Sequence, residues 1–269
     1  MPHDARSADQ HAARYLAVAD RLLPGRITGY YLVGSAALGA WRPDVSDVDF
    51  VAVLRGAVGA RELRRLRVLH GAGNLGAVGS AVAQRKPAIP GTVNGVFVAE
   101  DDMNQPVTSI RPIAAHSGRT FRCGRAFDVN PVTWQVLAAH GITVRGQSPD
   151  ELALDPEPDR LRGWNLAQLH GHWRGFAERA MSATPPRKPL VSASGVAAAG
   201  LFGPPRMHHT VATGKVIAKE AAGEYALDTF AARWHPLIRT ALAIRAGERA
   251  RVDPKQAGEF MLDVIADAR

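Results

Sequence analysis

The spacing of apolar residues along this chain changes character near residue 150, and that change divides the molecule. Residues 8–23 (ADQHAARYLAVADRLL) place Ala13, Tyr15, Leu16, Ala19, Leu22 and Leu23 near helical spacing, and Pro24-Gly25 stops the pattern, which predicts a first helix. Ile27 to Val33 is a β-branched and aromatic run that ends at Gly34-Ser35. Val48 to Leu54 (VDFVAVL) is almost wholly apolar, as in a strand buried on both faces. A basic helix is expected over 59–70, followed by a third strand at Thr92 to Ala99 (TVNGVFVA). Asn130-Pro131 signals another helix start, since proline suits the first turn, and Val132 to His140 runs without breakers to Gly141. Ile142 to Arg145 reads as a last short strand.

Beyond Pro149 the strand signal vanishes. Residues 160–181, 191–201, 216–232, 237–246 and 256–268 read as helices separated by breaks that carry Pro or Gly, with Pro204-Pro205 among the breakers. Thr184 to Pro189 is the most linker-like stretch, and at six residues it is expected to join helices within one bundle. The expected architecture is a two-domain α+β chain. Strand and helix alternate in a domain over 1–152, and an all-α helical bundle occupies 153–269.

Composition narrows the function classes. Of 269 residues 46% are hydrophobic and 22% charged, an ordinary globular balance that provides a buried core. No run of 18 apolar residues exists and the N-terminus lacks a basic-then-apolar leader, so a cytoplasmic protein without membrane partners is expected. A single cysteine, Cys123, excludes an intrachain disulfide and any cysteine-built metal site. The net charge of +8 favours polyanionic ligands, but no nucleic-acid recognition motif accompanies it. Arg61, Arg64, Arg65 and Arg67 are read as one solvated helix face, and nucleic acid is not expected as a partner.

The chemistry concentrates where the first strand ends and the second begins. Leu32-Val33-Gly34-Ser35 is followed, after eleven residues, by Asp47-Val48-Asp49-Phe50. Residues two apart on a strand face the same way, about 7 Å along it, so Asp47 and Asp49 present paired carboxylates to a hard divalent cation. A Gly-Ser turn lets backbone N–H groups approach phosphate oxygens, and Ser35 adds a hydroxyl. An isolated Asp-x-Asp is common on surfaces. Here it is set in an apolar strand, where unpaired carboxylates are costly and are kept mainly to bind metals or to pair.

In these residues the sequence resembles the polymerase-β-like nucleotidyltransferase superfamily, whose pattern is Gly-Ser, a spacer of about ten, then Asp-x-Asp. The stretch from His208 to Leu227 (HHTVATGKVIAKEAAGEYAL) further resembles the helical domain of the aminoglycoside (3'')(9) adenylyltransferase family. The resemblance implies a nucleotidyltransferase domain with a mixed sheet joined to a helical bundle. It implies transfer of AMP from ATP, or of another nucleoside monophosphate from its triphosphate, with Mg²⁺ as cofactor. The family's acceptor is a hydroxyl of a small molecule such as an aminoglycoside antibiotic, and its active cleft lies between the two domains. On this basis Asp47 and Asp49 are the metal-binding and catalytic pair, Gly34 and Ser35 hold the nucleotide, and Arg206 and Lys219 are basic residues near the triphosphate.

Two departures from the family pattern matter. The family carries a glutamate general base on the strand after the basic helix, and this sequence has Asn94 there. An amide neither takes a proton at neutral pH nor supplies a charged ligand. Glu100, Asp101 and Asp102 follow, but six residues along a strand is about 20 Å, and an acidic surface turn is expected. The helix before Arg206 also lacks the carboxylates that would meet a cationic drug. Two readings follow: a nucleotidyltransferase, or a nucleotide-binding paralogue that has lost its base. His116, His170, His172, His208 and His209 show no metal-ligand spacing and are read as core or surface residues.

Overall fold

The computed structural model describes residues 5–43, 46–83, 92–118, 120–182 and 200–269. The chain separates into two compact units, Met1–Glu157 and Pro158–Arg269.

In the first unit, α1 (Ala5–Leu22) leads into β1 (Ile27–Leu32), a short α2 (Gly34–Ala37), β2 (Val48–Leu54), α3 (Ala60–Ala83) and β3 (Val93–Ala99). Then come β4 (Ala114–Ser117), β5 (Thr120–Cys123), α4 (Pro131–His140) and β6 (Ile142–Arg145). The sheet is mixed, in the order β5-β4-β3-β2-β1-β6. Among the described strands of this sheet only β2 and β3 pair in parallel, and the long basic helix α3 lies in the crossover that a parallel pair requires. All other neighbours are antiparallel.

Period two sorts the strands onto two faces. Val48, Phe50, Ala52 and Leu54 of β2 join Tyr30, Leu32, Val93 and Phe97 in a core with Ala12, Tyr15, Leu16 and Ala19 of α1 and Leu66 and Leu69 of α3. Val51, Val53, Val96 and Val98, on the opposite face, are buried as well, as the apolar run predicts. Asp49 is half-buried in an otherwise buried β2, and Asn94 is half-buried near the start of β3.

One expected helix changes its extent. Helix α3 runs from Ala60 to Ala83, well past the expected end at residue 70. A Cβ on Gly73 would lie 2.5 Å from the Tyr15 ring, so this glycine serves the close packing of α3 on α1. The hairpin of β4 and β5 has no apolar alternation to announce it, since β5 is largely exposed and pairs at the sheet edge. Arg67 stacks over Phe121 of that strand at 5.2 Å, while Arg61 and Arg64 are exposed.

The second unit is helical: α5 (Pro158–Gln168), a π turn at Leu169–Trp173, α6 (Arg174–Met181), α7 (Gly203–Thr213), α8 (Lys219–Thr229), α9 (His235–Arg245) and α10 (Pro254–Asp267). Its core joins Ala177, Phe202, Ala222, Ala226, Ile238, Phe260, Met261 and Val264. Pro204 and Pro205 do not break a helix but begin α7, in the first turn where no donor is needed. Gly214, with φ 72°, ends it. Lys215 therefore lies in a non-helical segment, outside the helix that begins at Lys219. The linker-like stretch 184–189 and residues 192–199 lie outside the described residues. Among the described residues no helix is long and apolar enough to cross a membrane.

Candidate active site

The sheet builds the candidate site by register. Strand β1 delivers the chain to Gly34, and the Val33 N–H donates to the Asp49 carbonyl at 2.9 Å, which ties the turn to the start of β2. Gly34 has φ +60°, in the left-handed region. A Cβ there would sit 2.3 Å from Asp49 Oδ2 and 3.0 Å from its Cγ. Both the backbone angle and the approach of the carboxylate demand glycine. The Asp49 carboxylate thus lies directly against the Gly34-Ser35 turn, and Ser35 follows as the second residue of α2.

Asp47 precedes β2 and is exposed. Its carbonyl accepts the buried Trp41 indole N–H at 3.1 Å, and the Val48 N–H donates to the Thr92 carbonyl at 2.9 Å, continuing the β2–β3 ladder. Asp49 is the exact register partner of Asn94 in that parallel pair, so the two side chains share one sheet face. The Asn94 Oδ1 accepts the Gly118 N–H at 2.8 Å, so this amide also holds the β4–β5 turn. Gly34, Ser35, Asp47, Asp49 and Asn94 therefore converge on one end of the sheet.

Other acidic residues stand elsewhere. Glu100 lies at the far end of β3 and forms an ion pair with Arg55 at 3.1 Å, with both side chains well exposed. That pairing holds its carboxyl below the usual range, the Arg55 hydrogen bond being the main cause. A cavity of about 1060 Å³ opens at that same far end, lined by Gly29, Tyr31, Val53, Arg55, Glu100 and Glu151 among others. It contains none of the expected site residues. Asp128, just before α4, is half-buried, and burial pushes its carboxyl up.

The two buried histidines are structural. His116 is fully buried, bonded through Nδ1 to the Tyr15 hydroxyl at 2.8 Å. Burial and the adjacent His70 push its imidazole down to about 3. His208 is buried between Tyr225 at 2.7 Å and Asp267 at 2.9 Å, joining α7, α8 and α10. No group of three or more His, Cys, Asp or Glu side chains suited to a metal occurs among the described residues.

In the second unit, Lys219 is the exposed first residue of α8. Arg206 lies on α7, half-buried, and its Nε–H donates to the Ile217 carbonyl at 2.9 Å.

Residues 15–77 match the nucleotidyltransferase domain family, and residues 205–266 match the C-terminal domain of aminoglycoside adenylyltransferase. The two matches set a nucleotidyltransferase domain and an aminoglycoside adenylyltransferase C-terminal domain in one chain. Its fold is similar to that of spectinomycin adenyltransferase AAD(9) from Enterococcus faecialis, whose crystal structure holds ATP and spectinomycin. The likeness has a TM-score of 0.66 at 13% identity and covers 96% of this chain and 99% of that one. No curated protein matches significantly. Strands β1 and β2, with Gly34, Asp47 and Asp49, fall within the nucleotidyltransferase match, and Arg206 and Lys219 fall within the C-terminal one.

Proposed function

We propose that this nucleotidyltransferase-class protein binds a magnesium nucleoside triphosphate, ATP first among the candidates, and transfers the nucleoside monophosphate to a hydroxyl of a small acceptor. The observation that carries this reading is the contact of the Asp49 carboxylate with the Gly34 turn, in register with Asn94. Mg²⁺ is commonly held by one or two protein carboxylates together with substrate phosphates and water. Asp47 and Asp49 fit that requirement without a third protein carboxylate. When bound, the ion would neutralise triphosphate charge and polarise the reacting phosphoryl group.

The protein's own contributions are positional and electrostatic. Gly34 and Ser35 give the phosphates a surface free of bulk, and Ser35 offers a hydroxyl donor. Asp47 and Asp49 bring negative charge to an otherwise basic chain. Lys219 supplies a point charge for the β- or γ-phosphate. Pyrophosphate is released as the acceptor oxygen forms its bond to the α-phosphorus, and the acceptor proton must go to a base. An aminoglycoside is the acceptor class supported by the C-terminal domain match.

Asn94 favours a second reading, a nucleotide-binding protein that has lost its base. A calorimetric titration with ATP in Mg²⁺ and in EDTA, followed by transfer assays with streptomycin and spectinomycin, separates the two. Magnesium-dependent binding with transfer supports the enzyme, and binding without transfer supports the paralogue. Absence of binding by both ATP and GTP would sink both.

A further inference from the structure

One face of α7 is committed to the backbone of the segment that leads into Lys219. Arg206, His209, Thr210 and Thr213 recur at i, i+3, i+4 and i+7, so they share that face. The Arg206 Nε–H donates to the Ile217 carbonyl at 2.9 Å. The Lys215 carbonyl lies 2.9 Å from His209 Nδ1, a geometry that uses the Nδ1 proton, and it also accepts from the Thr210 hydroxyl at 3.2 Å. The Lys215 N–H donates to Thr213 Oγ1 at 3.2 Å. Ile217 itself packs against the core of the second unit. Segment 214–218 has no regular structure of its own, and these contacts fix where α8 begins. The carboxylate of Glu220, beside Lys219, is engaged by Arg245 at 2.6 Å.

We infer that Arg206 is a positioning residue: it acts on nucleotide binding through the Ile217 carbonyl, setting the place of Lys219, and not chiefly as a charge on the phosphates. This rests on the assignment of Lys219 to the triphosphate. The decisive atom is Nε, one bond beyond Cδ. Glutamine carries an N–H donor at that same place in the side chain but no charge. Lysine keeps the charge but carries a methylene there and places its donor one atom farther out. The two substitutions therefore separate the two roles.

The experiment compares Arg206→Gln, Arg206→Lys and Lys219→Ala in the full chain. ATP affinity is measured with Mg²⁺, and amide hydrogen exchange is followed over residues 214–221. Loss of one charge-assisted hydrogen bond corresponds to about a tenfold change. Arg206→Lys is expected to lose about tenfold in both exchange protection and ATP affinity, and Arg206→Gln clearly less in each. If Arg206→Lys keeps affinity and Arg206→Gln loses it, Arg206 is a phosphate-facing charge and the positioning role is overturned. It is equally overturned if neither variant changes exchange over 214–221. If Lys219→Ala binds ATP as the parent does, the assignment of Lys219 fails, and the positioning role fails with it. The exchange data then still report whether Arg206 holds the segment.

Discussion

Replacing Gly34 by alanine tests the contact on which the site is built, and Gly39→Ala supplies its control. Both glycines have left-handed φ, +60° and +67°, so each alanine bears a similar backbone penalty. That penalty is about 1–2 kcal/mol, or a few degrees in Tm for a chain of this size. The surroundings differ. Nothing lies within 4 Å of a Cβ on Gly39, whereas one on Gly34 would be 2.3 Å from Asp49 Oδ2. Reaching ordinary van der Waals separation means moving that carboxylate by roughly 1 Å. A displacement of that size at a reacting centre can cost about 10²-fold. Both variants should therefore melt a few degrees below the parent, while only Gly34→Ala loses magnesium-dependent ATP binding or turnover, by about two orders of magnitude. Thermal melts and calorimetric titrations with ATP in Mg²⁺ provide the readouts. Equal ATP affinity in the two variants would refute the placement of Asp49 as a working carboxylate against the turn.

Asp49→Asn should abolish the magnesium-dependent part of ATP binding, while melts without metal hold or rise because Asp47 loses a like-charged neighbour. Asn94→Glu should raise transfer to any acceptor that already binds, recovering part of the about 10²–10⁴-fold that a missing base costs, with little change in nucleotide Kd. A native protein that already transfers at normal enzyme rates, with Asn94→Glu unaltered, would place the base elsewhere, and Asp128 is the half-buried carboxyl to examine next. His116 makes stability depend on pH. Its imidazole is protonated below about 6.5 when unfolded but only below about 3 when folded, so its contribution is full above the first value and is lost as pH falls towards the second. The shift corresponds to at most about 5 kcal/mol, and His116→Gln should show a flatter decline in Tm between pH 6.5 and 4.5. Parallel curves for parent and variant would contradict this.

The sequence by itself determined which residues could form the site and which strands would carry them. Val48–Leu54 is buried on both sides because its apolar run allows nothing else, and the two aspartates stand out against it. The Gly34-Ser35 turn and the strand bearing Asn94 were legible for the same reason: strong local patterns bounded by chain-breaking residues. The helical character of the second half was legible too, and so was Asn130-Pro131 as a helix start, where the Asn130 side chain accepts the Thr133 N–H at 2.9 Å.

Only the tertiary structure decided what non-local contacts control. Helix α3 continues past residue 70 through several glycines; one of them, Gly73, is where α3 meets the Tyr15 ring, and packing outweighs a propensity cost of about 1 kcal/mol. The β4–β5 hairpin exists because the open edge of β3 needs partners, and edge strands need no apolar alternation. Pro204-Pro205 can end one helix or begin another, and local sequence does not distinguish the two. Spacing could bring Asp47 near Asp49, but register alone set Asp49 beside Asn94 and Gly34. The hydrogen bond from Arg206 to Ile217 spans eleven residues and a change of chain direction at Gly214, so no periodicity in the sequence encodes it.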